Sequence, residues 1–100
     1  MKRVMVRYKV KPDQAARNEE LVRAVYAELH EREPSGIRYA TFRLNDGVTF
    51  VHIAEVDAER NPLSDLPAFK DFLEGIADRC DDPPATAELT EVGSFRLFAR

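Results

Sequence analysis

The residues best suited to chemistry alternate along two neighbouring runs of the chain. Tyr39, Thr41 and Arg43 stand two apart in the first run, and His52 lies in the second. Side chains two apart on a β-strand share one face of the sheet. An imidazole titrates near neutral pH and could deprotonate a phenol, while a guanidinium could hold the phenolate. The alternative is a histidine hydrogen-bonded within a polar dimer interface, since buried polar groups need partners in any case.

A second group of candidates lies on other predicted elements. Asn18 stands at the start of the apolar stripe of the first helix, where its amide could orient a carbonyl or an oxyanion. Tyr8 and Tyr26 fall on inward faces of the first strand and helix and could line a small-molecule pocket. The alternatives are an asparagine that satisfies nearby backbone groups and tyrosines that are plain core aromatics.

We therefore predict two catalytic candidates, His52 and Asn18. The candidates for substrate binding are Tyr8, Tyr26, Tyr39, Arg43 and Phe72.

A tight hairpin would bring the first group together. Asp46-Gly47 between two β-prone runs, 37–44 and 48–56, is a strong hairpin signal, because both central residues of a type I′ turn need positive φ. As a two-residue loop it predicts these pairs: Asn45 with Val48, Arg43 with Phe50, Thr41 with His52, Tyr39 with Ala54, and Arg38 with Glu55. The opposite charges of the last pair support this register.

The remaining periodicity predicts the order β-α-β-β-α-β. Alternation over residues 3–10 indicates the first strand, and apolar stripes indicate helices over about 13–32 and 68–80. Asp81-Asp82-Pro83-Pro84 is expected to end the second helix, and residues 88–98 to form the last strand. Two right-handed crossovers of this kind give a ferredoxin-like α+β fold, a four-stranded antiparallel sheet with both helices on one face. The open face is expected to meet a second subunit as a homodimer.

Composition narrows the function classes. The 100 residues fit a single domain over 1–100, and a net charge of −3 without a basic stripe argues against nucleic acid as a partner. No apolar stretch approaches the roughly 20 residues that span a bilayer, and no signal-peptide core follows the N-terminus, so a cytoplasmic location without membrane contact is expected. Cys80 is the single cysteine, which excludes an internal disulfide, and no ligand spacing indicates a metal.

Over nearly its whole length, the chain resembles the antibiotic-biosynthesis-monooxygenase superfamily, the dimeric α+β barrels. The resemblance rests on the runs Val4–Pro12, Glu33–Gly36, Arg38–Phe42, Asp46–Glu55 and Leu66–Phe72. It implies two subunits whose sheets pack face to face, with a ligand pocket between each sheet and its helices. Members of that superfamily include oxygenases that oxidise phenolic or quinol substrates without metal or flavin, and proteins that degrade haem.

The sequence departs from the pattern of that superfamily in two ways, and both argue against haem degradation. The chain has no Trp, so the Asn–Trp pairing of those oxygenases and haem-degrading proteins cannot be assembled, and the second helix lacks the histidine that ligates haem. No cofactor is therefore expected. One hypothesis is a cofactor-independent monooxygenase acting on a small phenol or quinol, with a solvent-reachable pocket. The alternative is a non-catalytic ligand-binding or dimerisation module, with His52 and Arg43 in subunit contacts.

Overall fold

The computed structural model describes residues 1–97, which form one antiparallel sheet covered on one face by helices. The strands are β1 (Lys2–Val10), β2 (Ile37–Arg43), β3 (Thr49–Val56) and β4 (Cys80–Glu88), in the order β2-β3-β1-β4. The helices are α1 (Ala15–Arg32), α2 (Pro67–Leu73) and α3 (Ile76–Arg79), and 3₁₀ turns cover Pro12–Gln14 and Pro62–Asp65. The predicted ferredoxin-like order is confirmed.

The first helix matches its sequence pattern. Helix formers without Gly or Pro fill α1, and its buried side recurs at helical spacing through Ala15, Asn18, Val22 and Val25. Glu33 adopts the left-handed conformation, with φ 45°, and its N–H donates to the Leu29 carbonyl at 2.8 Å. This cap and the following proline end the helix. The buried side of α1 packs on the sheet face that carries Tyr8, Val10 and Phe50.

The hairpin has the predicted register but a longer loop. The pairs Thr41 with His52 and Arg38 with Glu55 are confirmed. Only Gly47 of the predicted two-residue turn has positive φ, so the type I′ turn is wrong. The Gly47 N–H instead donates to the Leu44 carbonyl at 3.0 Å. The Asp46 carboxylate accepts from the backbone N–H groups of Val48 and Thr49 and lengthens the loop without moving the pairing.

Glu55, whose charge supports this register, forms its ion pair with a residue other than Arg38. Arg38 lies opposite Glu55, as predicted, but the Glu55 carboxylate accepts hydrogen bonds from Arg3 on β1. The Arg3 Nε lies 2.7 Å from the carboxylate oxygen. Since Arg3 also stands opposite Glu55 across β1 and β3, charge pairing alone could not identify which neighbour binds it.

The second helical region is shorter than the predicted single helix over 68–80. α2 ends at Leu73, and α3 begins only at Ile76. Gly75 lies between them with φ 76°, a left-handed conformation that glycine adopts without steric cost. The glycine therefore breaks the helix, and Cys80 begins β4 instead of closing the helical stripe.

The last strand lies earlier than predicted. Asp81-Asp82-Pro83-Pro84 is part of β4, and residues 89–97 form no strand, while Phe98 of the predicted strand lies outside the described residues. The sheet order makes β4 an edge strand, where prolines are tolerated. The register moves from Arg7 opposite Ala85 to Lys9 opposite Asp82, which adds one residue to β4 beside the prolines.

The sheet face away from the helices carries mixed apolar and charged side chains. Met5 and Ala40 stand opposite Ile53 on either side, and all three are partly exposed, while Phe42 is 40% exposed opposite Val51. This is the open face expected from the sequence. None of the helices among residues 1–97 is long and apolar enough to cross a membrane.

Candidate functional site

A continuous row of hydrogen-bonded polar side chains runs through the layer between the sheet and the helices. We call it the buried polar network, and it consists of Arg79, Asn18, Tyr8, His52, Tyr39, Thr41 and Tyr26. The strands β1, β2 and β3 contribute residues to it, and so do α1 and the end of α3. Buried polar networks of this kind are stable only when their members have partners, and every buried side-chain polar atom among residues 1–97 has one.

His52 is the centre of the network. Its Nε2 lies 2.8 Å from the Tyr8 hydroxyl, and its Nδ1 lies 2.6 Å from the Tyr39 hydroxyl and 2.9 Å from Thr41 Oγ1. Tyr8 and His52 are 2% and 5% exposed, so water does not replace these partners. The β3 register places His52 opposite Val6 and Thr41, pointing to the helix side like Phe50 and Ala54. The interpretation of His52 as a dimer-interface residue is therefore wrong.

Asn18 connects the sheet to the end of α3. Its Nδ2 donates to the Tyr8 hydroxyl at 2.9 Å, and its Oδ1 accepts from Arg79 Nε at 3.2 Å. Asn18 is fully buried, at 0% exposure. It is the fourth residue of α1 and lies on the buried side of that helix, so its side chain points across the layer at β1. The interpretation of Asn18 as a residue that satisfies local backbone groups is wrong, because its partners are distant side chains.

Arg79 is a buried cation that sequence reasoning missed. Its Nη2 donates to the Phe72 carbonyl at 2.6 Å and its Nη1 to the Glu74 carbonyl at 2.9 Å, so it caps the C-terminal end of α2. The guanidinium also lies 5.5 Å from the centre of the Phe72 ring. A signal was present: Arg79 follows Phe72 by seven residues and Ile76 by three, so it falls on the same helical stripe.

The opposite end of the network consists of hydroxyl groups. Thr41 Oγ1 lies 2.7 Å from the Tyr26 hydroxyl, and the Tyr26 and Tyr39 rings stack with centres 5.3 Å apart. Tyr26 comes from α1 and Tyr39 from β2, and both are partly buried. The hydrogen-bond row thus crosses the domain from the α2–α3 side to the β2 edge.

Aromatic rings pack around the centre of the network, at Tyr8 and His52. Phe72 lies 5.4 Å from the His52 ring and 6.1 Å from the Tyr8 ring, and Phe50 stacks on Tyr8 at 5.7 Å. Burial lowers the pKa of His52 from 6.5 to about 4, because the charged imidazolium would lose its hydration. Burial raises the pKa of Tyr26 to about 12 and raises the pKa of Tyr8 and Tyr39 further. The network is therefore uncharged at neutral pH apart from Arg79.

A surface cleft of about 300 Å³ adjoins the hydroxyl end of the network. Tyr26 and Tyr39 line it, together with Leu29, His30, Glu33, Pro34 and Ile37. Its size is at the small end of the range for ligand pockets. The same two tyrosines thus belong both to the buried polar network and to a solvent-reachable cleft.

Arg43 is the one predicted candidate that the structure keeps away from the others. Its Nη1 lies 3.0 Å from a Glu19 carboxylate oxygen, and its Nε donates to the Gly47 carbonyl at 2.9 Å. These partners hold its exposed side chain over the hairpin loop, so it cannot hold a phenolate beside His52. Among residues 1–97, no three His, Cys, Asp or Glu side chains come together as metal ligands.

Comparisons with known proteins find likeness in structure and not in sequence. No family model matches the chain, and no curated protein matches it. Rv0793 from Mycobacterium tuberculosis superposes with a TM-score of 0.74 at 18% identity, over 93% of this chain and 96% of that chain.

Further structures with a similar fold carry a functional name. One named antibiotic biosynthesis monooxygenase has a TM-score of 0.70 at 19% identity, over 93% of this chain and 100% of that chain. A protein from Caulobacter crescentus, provisionally given the same name, has a TM-score of 0.68 at 21% identity, over 92% and 90% of the two chains. The predicted resemblance is confirmed at the level of the fold, which does not by itself transfer chemistry.

Proposed function

We propose that the chain binds a small phenol or quinol in the cleft between Tyr26 and Tyr39, and that it oxygenates this ligand without a cofactor. The observation that carries the proposal is the double role of these tyrosines, which line the cleft and end the buried polar network. A cleft with an apolar lining and a few fixed polar groups is the usual form of a small-molecule site. The structures named as monooxygenases support the same choice by their shared fold.

The tyrosines would serve the ligand in two ways. Their rings offer flat surfaces for an aromatic ring. Their hydroxyls offer donors to the ligand oxygen, and donors held in fixed positions stabilise an oxygen anion. The ligand proton would leave to solvent through the open cleft. His52 holds the Tyr39 hydroxyl by a hydrogen bond from the buried side. It does not bind the ligand itself, because both of its ring nitrogens are already hydrogen-bonded within the protein.

The proposed reaction needs no outside reductant. The bound phenolate reacts with O₂ at a ring carbon that carries hydrogen, one oxygen atom becomes a new ring carbonyl, and the other leaves as water. The phenol supplies all four electrons that reduce O₂, and the product is a quinone. Donors in the cleft raise the fraction of the bound ligand that is ionised, and the phenolate ring is richer in electrons than the phenol ring. The reaction of this ring with O₂ is the step that the protein would accelerate.

A specific observation favours the second candidate, a binding protein without turnover. His52 has a pKa of about 4 and no direct exposure to the cleft, so it is a weak base at neutral pH. A ligand that does not need deprotonation would bind to the same tyrosines. The two candidates share the cleft and differ in whether oxygen is consumed.

The first experiment follows 4-nitrophenol, whose phenolate absorbs visible light, in a binding titration. We expect binding by the unaltered protein, and a loss of roughly tenfold in affinity when Tyr39→Phe removes a hydroxyl but keeps the ring. Thr90→Val, a change on the exposed segment after β4, is the matched control and should bind as before. Unchanged binding by Tyr39→Phe would contradict the proposed site. Oxygen uptake with electron-rich phenols and quinols then separates the monooxygenase from the binding protein.

We also propose that two copies of the chain pair through their open sheet faces. This face presents the apolar side chains of Met5, Val51 and Ile53, partly exposed in a single copy. Ile53→Glu is expected to convert a dimer to a monomer, because it places two like charges in the interface. The mass is measured by light scattering, and Ala27→Glu on the exposed side of α1 should leave it unchanged. A monomeric unaltered protein would contradict the pairing.

The cytoplasmic location stays a prediction.

A further inference from the structure

We infer that Arg79 acts as a positioning residue: it fixes the direction of the hydrogen bonds that run from Asn18 through Tyr8 to His52, so that His52 carries its proton on Nδ1 and the cleft receives a hydroxyl donor. The second half rests on the proposed function and gives its ligand class, an aromatic molecule whose oxygen accepts a hydrogen bond, as a phenolate or a carbonyl. The first half stands on the network alone.

The direction begins at Arg79 because a guanidinium can only donate. The group that receives from Arg79 Nε must be the oxygen of the Asn18 amide, and the distance is 3.2 Å. The amide nitrogen then faces the Tyr8 hydroxyl at 2.9 Å and donates to it. A reversed amide would aim donors at the guanidinium, which is held on its other sides by the Phe72 and Glu74 carbonyls.

The direction continues through Tyr8 to His52. The Tyr8 oxygen accepts from Asn18, so the Tyr8 proton is available for His52 Nε2, which lies 2.8 Å away. An imidazole nitrogen that accepts a hydrogen bond carries no proton, and a neutral imidazole then carries its proton on the other nitrogen. Nδ1–H therefore donates to the oxygens of both Tyr39 and Thr41, which lie 2.6 and 2.9 Å away.

The hydroxyl end of the network has protons to spare. Nδ1–H serves both of its neighbours, and the hydroxyls of Tyr39, Thr41 and Tyr26 add a proton each. The contact between Thr41 and Tyr26 takes one of these three protons. Hydroxyl protons therefore remain for a further acceptor. Since Tyr26 and Tyr39 line the cleft, an acceptor oxygen of a ligand is the partner that fits.

The decisive measurement is the nitrogen NMR spectrum of the His52 ring in ¹⁵N-labelled protein at neutral pH. We expect Nε2 to resonate as an unprotonated nitrogen and Nδ1 as a protonated one, and His30→Gln assigns the signals by removing the other histidine. A protonated Nε2 in the unaltered protein would overturn the inference. This spectrum needs no ligand, so its failure is distinct from failure of the proposed function.

Two variants test the role of Arg79 and Asn18 in setting the direction. Asn18→Asp offers Tyr8 an acceptor in place of a donor, so the Tyr8 proton turns to the carboxylate and Nε2 of His52 must become protonated. Arg79→Met releases the Asn18 amide, and we expect both His52 forms to be populated, while Arg79→Lys, which still donates, restores the original form. An unprotonated Nε2 in Asn18→Asp would overturn the inference, as would a single unchanged form in Arg79→Met.

The ligand class is tested with 4-nitrophenol as the probe. A donor in the cleft should make the phenolate bind roughly tenfold more tightly than the neutral phenol, so the bound probe ionises at lower pH than the free probe. 4-Nitroaniline, which presents hydrogens in place of the acceptor oxygen, should bind more weakly. Equal binding of the phenol and the phenolate would overturn the assigned class. Absence of any binding would refute the proposed function and leave the His52 result standing.

Discussion

Replacing Asn18 with leucine is expected to lower the free energy of unfolding by about 3–5 kcal/mol. Leucine keeps the branched skeleton of the asparagine side chain and is larger, so the change removes hydrogen bonds without leaving a cavity. It leaves the Arg79 Nε–H without its acceptor and removes the donor to Tyr8, and both of these groups are buried. An unsatisfied buried group costs roughly 1–3 kcal/mol, and a charged group costs more. The loss is therefore large for a domain of this size.

Urea unfolding followed by circular dichroism measures the loss. Asn45→Leu, on the exposed hairpin loop, is the matched control and should change the unfolding free energy by less than about 0.5 kcal/mol. Asn18→Asp should lie between the two, because its carboxylate still accepts from Arg79. A value for Asn18→Leu within about 1 kcal/mol of the unaltered protein would show that water or another group satisfies Arg79.

The sequence predicts much of this site because local patterns decide where most of its residues point. Strand alternation places Tyr39, Thr41 and His52 on one face, and the register holds even though the turn type was wrong. The register survives because a four-residue loop between Leu44 and Thr49 keeps the same residues opposite one another. Helical spacing likewise places Asn18 on the buried side of α1.

The remaining residues depend on contacts that no local pattern encodes. Which face of the hairpin meets the helices decides whether His52 lies in a core or in an interface, and both faces are partly apolar. Pro83 and Pro84 predict the end of the second helix and no strand at that position. They nevertheless lie in β4, because an edge strand with one added residue tolerates proline. The spacing of Arg79 from Phe72 and Ile76 places it on the apolar stripe, but that spacing does not reveal its partners, because only the turn at Gly75 brings it against the carbonyl groups at the end of α2.

His52 should make the domain less stable in mild acid, and the direction follows from its two protonation states. Burial lowers its pKa to about 4 in the folded chain, against an ordinary value of 6.5. Above pH 6.5 neither state binds the proton, and the full stability is present. Between pH 6.5 and 4, His52 binds a proton in the unfolded chain but not in the folded chain. The free energy of unfolding therefore decreases as the pH falls. The groups packed on the ring are Tyr8, Tyr39, Thr41 and Phe72, and none of these is charged in this range.

The loss attributable to His52 should reach about 3 kcal/mol between pH 7 and pH 4. The measurement compares urea unfolding of the unaltered protein and of His52→Gln at several pH values. His52→Gln is less stable at pH 7 but should lose less stability on acidification, so the two curves converge toward pH 4. His30→Gln, at an exposed position on α1, should follow the curve of the unaltered protein. Parallel curves for the unaltered protein and His52→Gln would mean that the folded chain accepts the proton, and hence that water or an anion reaches the centre of the network.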